Sequence, residues 1–157
     1  GFFGSGGHHV WQDDGTIQGR SEVQAGMNTL KSRMRDMLCR QRTVPTGQLD
    51  TQVSFHDTLY REYLFGDSQL YVEPDCSLIG CCFTCRNKWR LNDRFDLHPN
   101  RYWTDGVLML LLNYRDYGSI PNWARFILGS FTTGAYSFTA FSVDIQWHTI
   151  DYGCCYE

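Results

Sequence analysis

The sequence predicts an α+β domain, an antiparallel sheet with about three packed helices, stapled by disulfides. Three observations lead there. Over residues 21–38 apolar side chains recur at three- and four-residue steps, the period of a helix. Runs rich in Tyr, Leu, Val and Phe fill much of 50–92, and 136–147 alternates as a strand does. Four of the seven cysteines fall in CSLIGCCFTC, residues 76–85.

Composition bounds the rest. A chain of 157 residues, 42% hydrophobic and 20% charged, is one globular domain with enough length to bury a core. Its formal charge of −3 and scattered Lys and Arg exclude the broad basic surface of a nucleic-acid binder. The longest apolar run, Val107 to Leu112, is far short of the roughly 20 residues that span a bilayer, so no transmembrane segment is expected. The chain opens at Gly1 with no charged or apolar leader, which fits a mature secreted protein.

Residues 1–20 form a Gly-rich N-terminal arm, and 21–157 a single disulfide-stabilised α+β domain. Phe2, Phe3 and Trp11 are set among glycines in the arm. Ordering that backbone costs about 1–2 kcal/mol per residue, more than burying three aromatic side chains returns. A neighbouring subunit that receives the arm supplies the difference, so these three residues are candidate assembly contacts. His8-His9 beside Asp13-Asp14 is a weak metal pattern.

Ser21 opens the first helix, whose stripe is Val23, Met27, Leu30, Met34 and Leu38, and Pro45-Thr46-Gly47 closes the helical region. Gly66-Asp67-Ser68 predicts a hairpin turn between strands at 59–65 and 69–73. A third strand spans roughly 80–92. Helices are expected at 104–114, capped by Thr104-Asp105, and from Ser119-Ile120-Pro121 to about Gly129. In the last strand the inward face changes phase near Thr139-Ala140, which predicts a β-bulge.

The cysteines decide the compartment. Cys82-Phe83-Thr84-Cys85 has the spacing of one zinc knuckle, but Cys154-Cys155 cannot make a second, and His98 and His148 stand alone. A redox pair belongs at a helix N-terminus, whereas this segment reads as strand. Neither a metal nor a cofactor is expected. Disulfides remain, at least three of them, drawn from Cys76, Cys81, Cys82, Cys85, Cys154 and Cys155. Neighbouring strand residues face opposite ways, so the adjacent Cys81 and Cys82 can tie two layers to one strand. Cys39, remote on its helix, is the natural odd cysteine. Such bridges persist in oxidising compartments, which implies a secreted, extracellular protein.

The strongest polar constellation runs from Asn92 to Arg101. Asp93 and Asp96 can act as base or hold a hard cation, with His98 as acid and Arg101 clamping a phosphate. The bland alternative is an Asx-rich turn before Pro99. Asp93-Arg94-Phe95-Asp96 resembles the Asp-x-Tyr-Asp segment of colicin M-type bacteriocins. That resemblance implies a phosphodiester hydrolase that cleaves the peptidoglycan lipid precursor. The family places a His-Arg pair where this chain has Tyr102-Trp103.

These features sum to a secreted, non-catalytic extracellular protein, structural or binding in role, that self-associates as a homo-oligomer. The odd cysteine and 24 aromatic residues (5 Trp, 9 Tyr and 10 Phe) point the same way. The alternative is a secreted toxin or hydrolase that uses the Asp93–Arg101 segment.

Overall fold

The structure, a computed structural model, describes residues 7–56, 67–95 and 141–156. Its elements are β1 (Gly7–Gln12), α1 (Ser21–Cys39), β2 (Leu49–Ser54), β3 (Asp67–Ile79), β4 (Cys82–Phe95) and β5 (Phe141–Cys154). The strands form one sheet in the order β1-β5-β4-β3-β2. β1 runs parallel to β5, and every other pair is antiparallel.

The expected architecture therefore needs correcting. The sheet is mixed, and among the described residues, 55% of them in strands, a single helix packs on it. The arm supplies the difference, because Gly7–Gln12 is an edge strand laid parallel on β5 of the same chain. β3 pairs with β2 on one side and β4 on the other, and the predicted turn residues Asp67 and Ser68 already belong to β3. The strand at 59–65, the helices at 104–114 and 119–129 and the bulge at Thr139-Ala140 lie outside the described residues.

α1 follows its sequence closely. Val23, Gly26, Met27, Leu30, Met34 and Leu38 are buried, a stripe at helical spacing. At Gly26 the helix lies close against the sheet: an added Cβ would stand 3.0 Å from both Leu70 Cδ2 and Val53 Cγ2. Glu22 accepts the backbone N–H of His56 at 3.0 Å, which ties the start of α1 to the end of β2. Burial pushes the Glu22 carboxyl up, but that bond, with Arg20 nearby, outweighs it and holds the pKa below the usual range.

Burial alternates along β4, with Cys85, Asn87, Trp89 and Leu91 buried, and the register places Ile145, Trp147 and Val143 of β5 on the same face. Trp89 and Trp147 are direct cross-strand partners with ring centroids 6.4 Å apart and ring planes nearly parallel. Pro74 is tolerated within β3 because the pairing with β2 begins only at Leu49, opposite Val72, and leaves the edge beside Pro74 without β2. β3 and β4 join through Gly80-Cys81, a two-residue turn whose first position is glycine at φ +60°, as a type II′ hairpin requires.

Three disulfides gather at the turn end of the sheet. Cys76–Cys85 and Cys82–Cys154 link direct cross-strand partners, and Cys39–Cys155 fastens the end of α1. Two expectations are corrected here. Cys81 takes no part in a bridge, since it occupies the exposed corner of the turn, outside the ladder. Cys39 is not the odd cysteine, since α1 is long enough to carry it to the stapled end. The two-layer tie expected of Cys81-Cys82 is made by Cys154-Cys155, one bonded to β4 and the other to α1.

The opposite end of the sheet is where the chain leaves at Ser54 and Phe95 and returns at Asp67 and Phe141, beside the start of β1. The sheet thus has a stapled end and a far end.

Candidate functional site

Asp93 lies at the far end of β4, the central strand of the sheet. It is half-buried on the helix-bearing face, across from Val143. Its Oδ1 accepts the backbone N–H of the next residue, Arg94, at 2.8 Å, a local bond that orients the carboxylate. Asp96, His98 and Arg101 lie outside the described residues, as do Phe2 and Phe3. Trp11 is half-buried on β1, opposite Ile145.

The residues of the weak metal pattern diverge. His8 turns to the face away from the helix, and strand alternation sends His9 to the other. Asp13 accepts the backbone N–H groups of Ile17 and Gln18 at 3.0 and 2.9 Å, which builds the turn into α1. Asp14 is held by the Thr16 hydroxyl, and that bond lowers its pKa. Among the described residues no group of three His, Cys, Asp or Glu side chains is placed to hold a metal ion. None of the described helices is long and apolar enough to cross a membrane.

On the face away from α1, still at the far end, a polar cluster forms that the sequence did not advertise. His8 Nε2 is 2.9 Å from Asp144 Oδ2, and His8 Nδ1 is 2.6 Å from Ser142 Oγ. Asp144 is buried and also receives the Asn92 amide and, at 3.5 Å, the Arg90 guanidinium. Arg90 is itself fixed, stacked 4.0 Å above the Tyr71 ring and bonded to Gln48 at 3.0 Å. Ser142 and Asp144 lie two apart on one strand, a spacing that puts both on one face. Nothing local marks His8 as their neighbour, 134 residues away.

A second polar group sits nearer the staples, in a cleft of 340 Å³ between α1 and the sheet, lined in part by Lys31, Arg35, Phe83, Asn87 and Asp151. Its carboxylate, Asp151, is 3.2 Å from Lys31 Nζ and accepts from Asn87 and Thr149.

No protein-family model and no curated protein matches the chain. Among solved structures it is similar to the bacteriocin syringacin M from Pseudomonas syringae pv. tomato DC3000, at 16% identity and a TM-score of 0.36, over 96% of this chain and 48% of that one. It is also similar to a truncated form of that bacteriocin, at 18% identity and a TM-score of 0.33, over 98% of this chain and 56% of the other. The chain spans about half the length of these structures.

Proposed function

We propose that this chain is a secreted phosphodiester hydrolase of the toxin class that colicin M-type bacteriocins represent, with its reacting groups at the far end of β4. The position of Asp93 carries this reading. It stands two residues before the end of the central strand, and the chain continues directly into Asp96, His98 and Arg101. Functional groups are commonly presented where a rigid strand passes into a loop, and the three disulfides stiffen the sheet from its other end. Cleaving a phosphodiester needs an activated water, a proton for the leaving oxygen and positive charge on the phosphoryl group. Asp93 and Asp96 serve the first need, His98 the second and Arg101 the third.

Incubating the disulfide-intact protein with the peptidoglycan lipid precursor, with and without a divalent cation, tests this. Phosphodiester cleavage that Asp96→Ala lowers about 100-fold or more is the expected result. An intact precursor under both conditions would end the hydrolase reading.

One observation favours a second reading, the homo-oligomer. Cys81 is a free thiol at the exposed hairpin tip, where Ile79, Tyr152 and Tyr156 are 81%, 75% and 65% exposed. Residues 7–12 already pair within their own chain, so self-association on this reading uses the tip rather than the arm. Light scattering under non-reducing conditions should then give a dimer that Cys81→Ser converts to monomer. A monomeric wild type rejects it.

A further inference from the structure

The geometry points to a second, serine-based acyl-transfer site on the face of the sheet away from α1, with Ser142 as nucleophile, His8 as base and Asp144 as the group that orients the base. It is independent of the Asp93 reading. His8 Nδ1 is 2.6 Å from Ser142 Oγ, within reach of its proton, while His8 Nε2 is 2.9 Å from Asp144 Oδ2. A carboxylate accepts only, so Nε2 carries the ring proton and Nδ1 presents its lone pair to the hydroxyl. The environments suit these roles. The His8 side chain is 51% exposed, and Ser142 is partly accessible. Asp144 is buried and held from behind by Asn92 and Arg90.

Arg94 completes the set. It is the direct cross-strand partner of Ser142, on the same face and exposed. Cross-strand partners stand about 5 Å apart, so its guanidinium is within reach of a charge that develops beside Ser142. A triad is recognised by geometry and roles rather than by order in the chain. Here the order is His, Ser, Asp, and the two ring nitrogens exchange the tasks they have in serine proteases.

The substrate class is a carboxylic ester that can reach the half-exposed His8 and the partly accessible Ser142. Ser142 Oγ attacks the carbonyl carbon as its proton passes to His8 Nδ1, and the carbonyl oxygen becomes an oxyanion facing Arg94. Collapse breaks the ester C–O bond, and the alcohol leaves with the proton from Nδ1. Water then attacks the acyl-serine, gives one proton to Nδ1, and the released serine oxygen recovers it. The products are one acid and one alcohol, and no co-reactant is consumed.

A fluorophosphonate probe reports the first step, since Oγ displaces fluoride from phosphorus and the adduct is stable. With the full, disulfide-intact chain, peptide mapping should place one adduct on Ser142. Ser142→Ala should remove it, and His8→Ala should slow it about 100-fold. Labelling is read with neither lipid precursor nor divalent cation present, which separates its outcome from that of the hydrolase reading. Asp144→Asn serves as the positioning test. It should slow labelling and shift the His8 ring proton from Nε2 to Nδ1 in nitrogen NMR, a change that a purely structural role would not produce. Absence of an adduct on Ser142 in folded protein, or labelling that persists at full rate in His8→Ala, would overturn the proposal.

Discussion

Lys31 Nζ lies 3.2 Å from Asp151 Oδ1, and through this pair the middle of α1 is tied to the end of β5. Asp151 also accepts from Asn87 Nδ2 at 2.7 Å and Thr149 Oγ1 at 2.8 Å, and Thr149 accepts from the buried Trp89 indole at 2.8 Å. A polar chain therefore runs from the helix surface into the aromatic core. Burial pushes the Asp151 carboxyl up, but the bonds from Thr149, Asn87 and Lys31 outweigh it, and its pKa is lowered.

The lowered value sets the sign of a pH effect. A carboxyl with a depressed folded pKa contributes stability that is complete above its unfolded value of 3.8 and is lost as pH falls through the folded value. Unfolding free energies of wild type and Asp151→Asn from urea titration should differ by about 1 kcal/mol near neutrality, since solvent screens part of the interaction. The gap should close below pH 4. A gap that stays constant down to pH 2 would show that the carboxylate charge does not matter there.

Removing Cys39–Cys155 should be costly. The bridge spans 116 residues, and a cross-link of that span stabilises by roughly 2–5 kcal/mol once strain is allowed for. The double variant Cys39→Ser with Cys155→Ser should show this in denaturant unfolding. An unchanged midpoint would mean that the non-covalent contacts of α1 hold it without the bridge.

Gly26 tests the contact between helix and sheet. Valine there must displace Leu70 or Val53 and should cost about 1–3 kcal/mol. Alanine should be close to neutral, because its gain in helix propensity of up to about 1 kcal/mol offsets a tight contact that two methyl groups can relieve. A valine variant as stable as wild type would place the helix farther out.

Cysteine chemistry checks the bridge pattern directly. Alkylating the native monomer should add one group, on Cys81, whereas denatured and reduced protein should take up seven. Two or more adducts in the native state would contradict the three bridges.

What could be read from the chain divides along physical lines. α1 was legible because its stripe records a local period, and Val23 to Leu38 are buried as that period requires. β1 was not, because GHHVWQ has weak strand character alone and gains its pairing from a strand more than a hundred residues away. β5 was cut short for a related reason. HTIDYGC is polar and exposed on one side, yet its ladder with β4 continues to Cys154. The odd cysteine misled because remoteness in sequence says little about a residue carried by a helix, and 19 residues reach about 28 Å. At the candidate site, the Asn92–Arg94 stretch was visible as a polar cluster. Ser142 and Asp144 were hidden in a strand whose alternation looked ordinary, with their histidine in a segment read as an arm.

The placement of the staples also determines what survives a protease. A backbone cut between residues 56 and 67 leaves two pieces still joined by Cys39–Cys155. One between 95 and 141 leaves two pieces joined twice, by Cys39–Cys155 and Cys82–Cys154. After the second cut β4 and β5 remain bonded directly through Cys82–Cys154, so their ladder can re-form without a search through solution. Nicking in either segment would thus leave the molecule in one covalent piece, and only reduction would release the fragments.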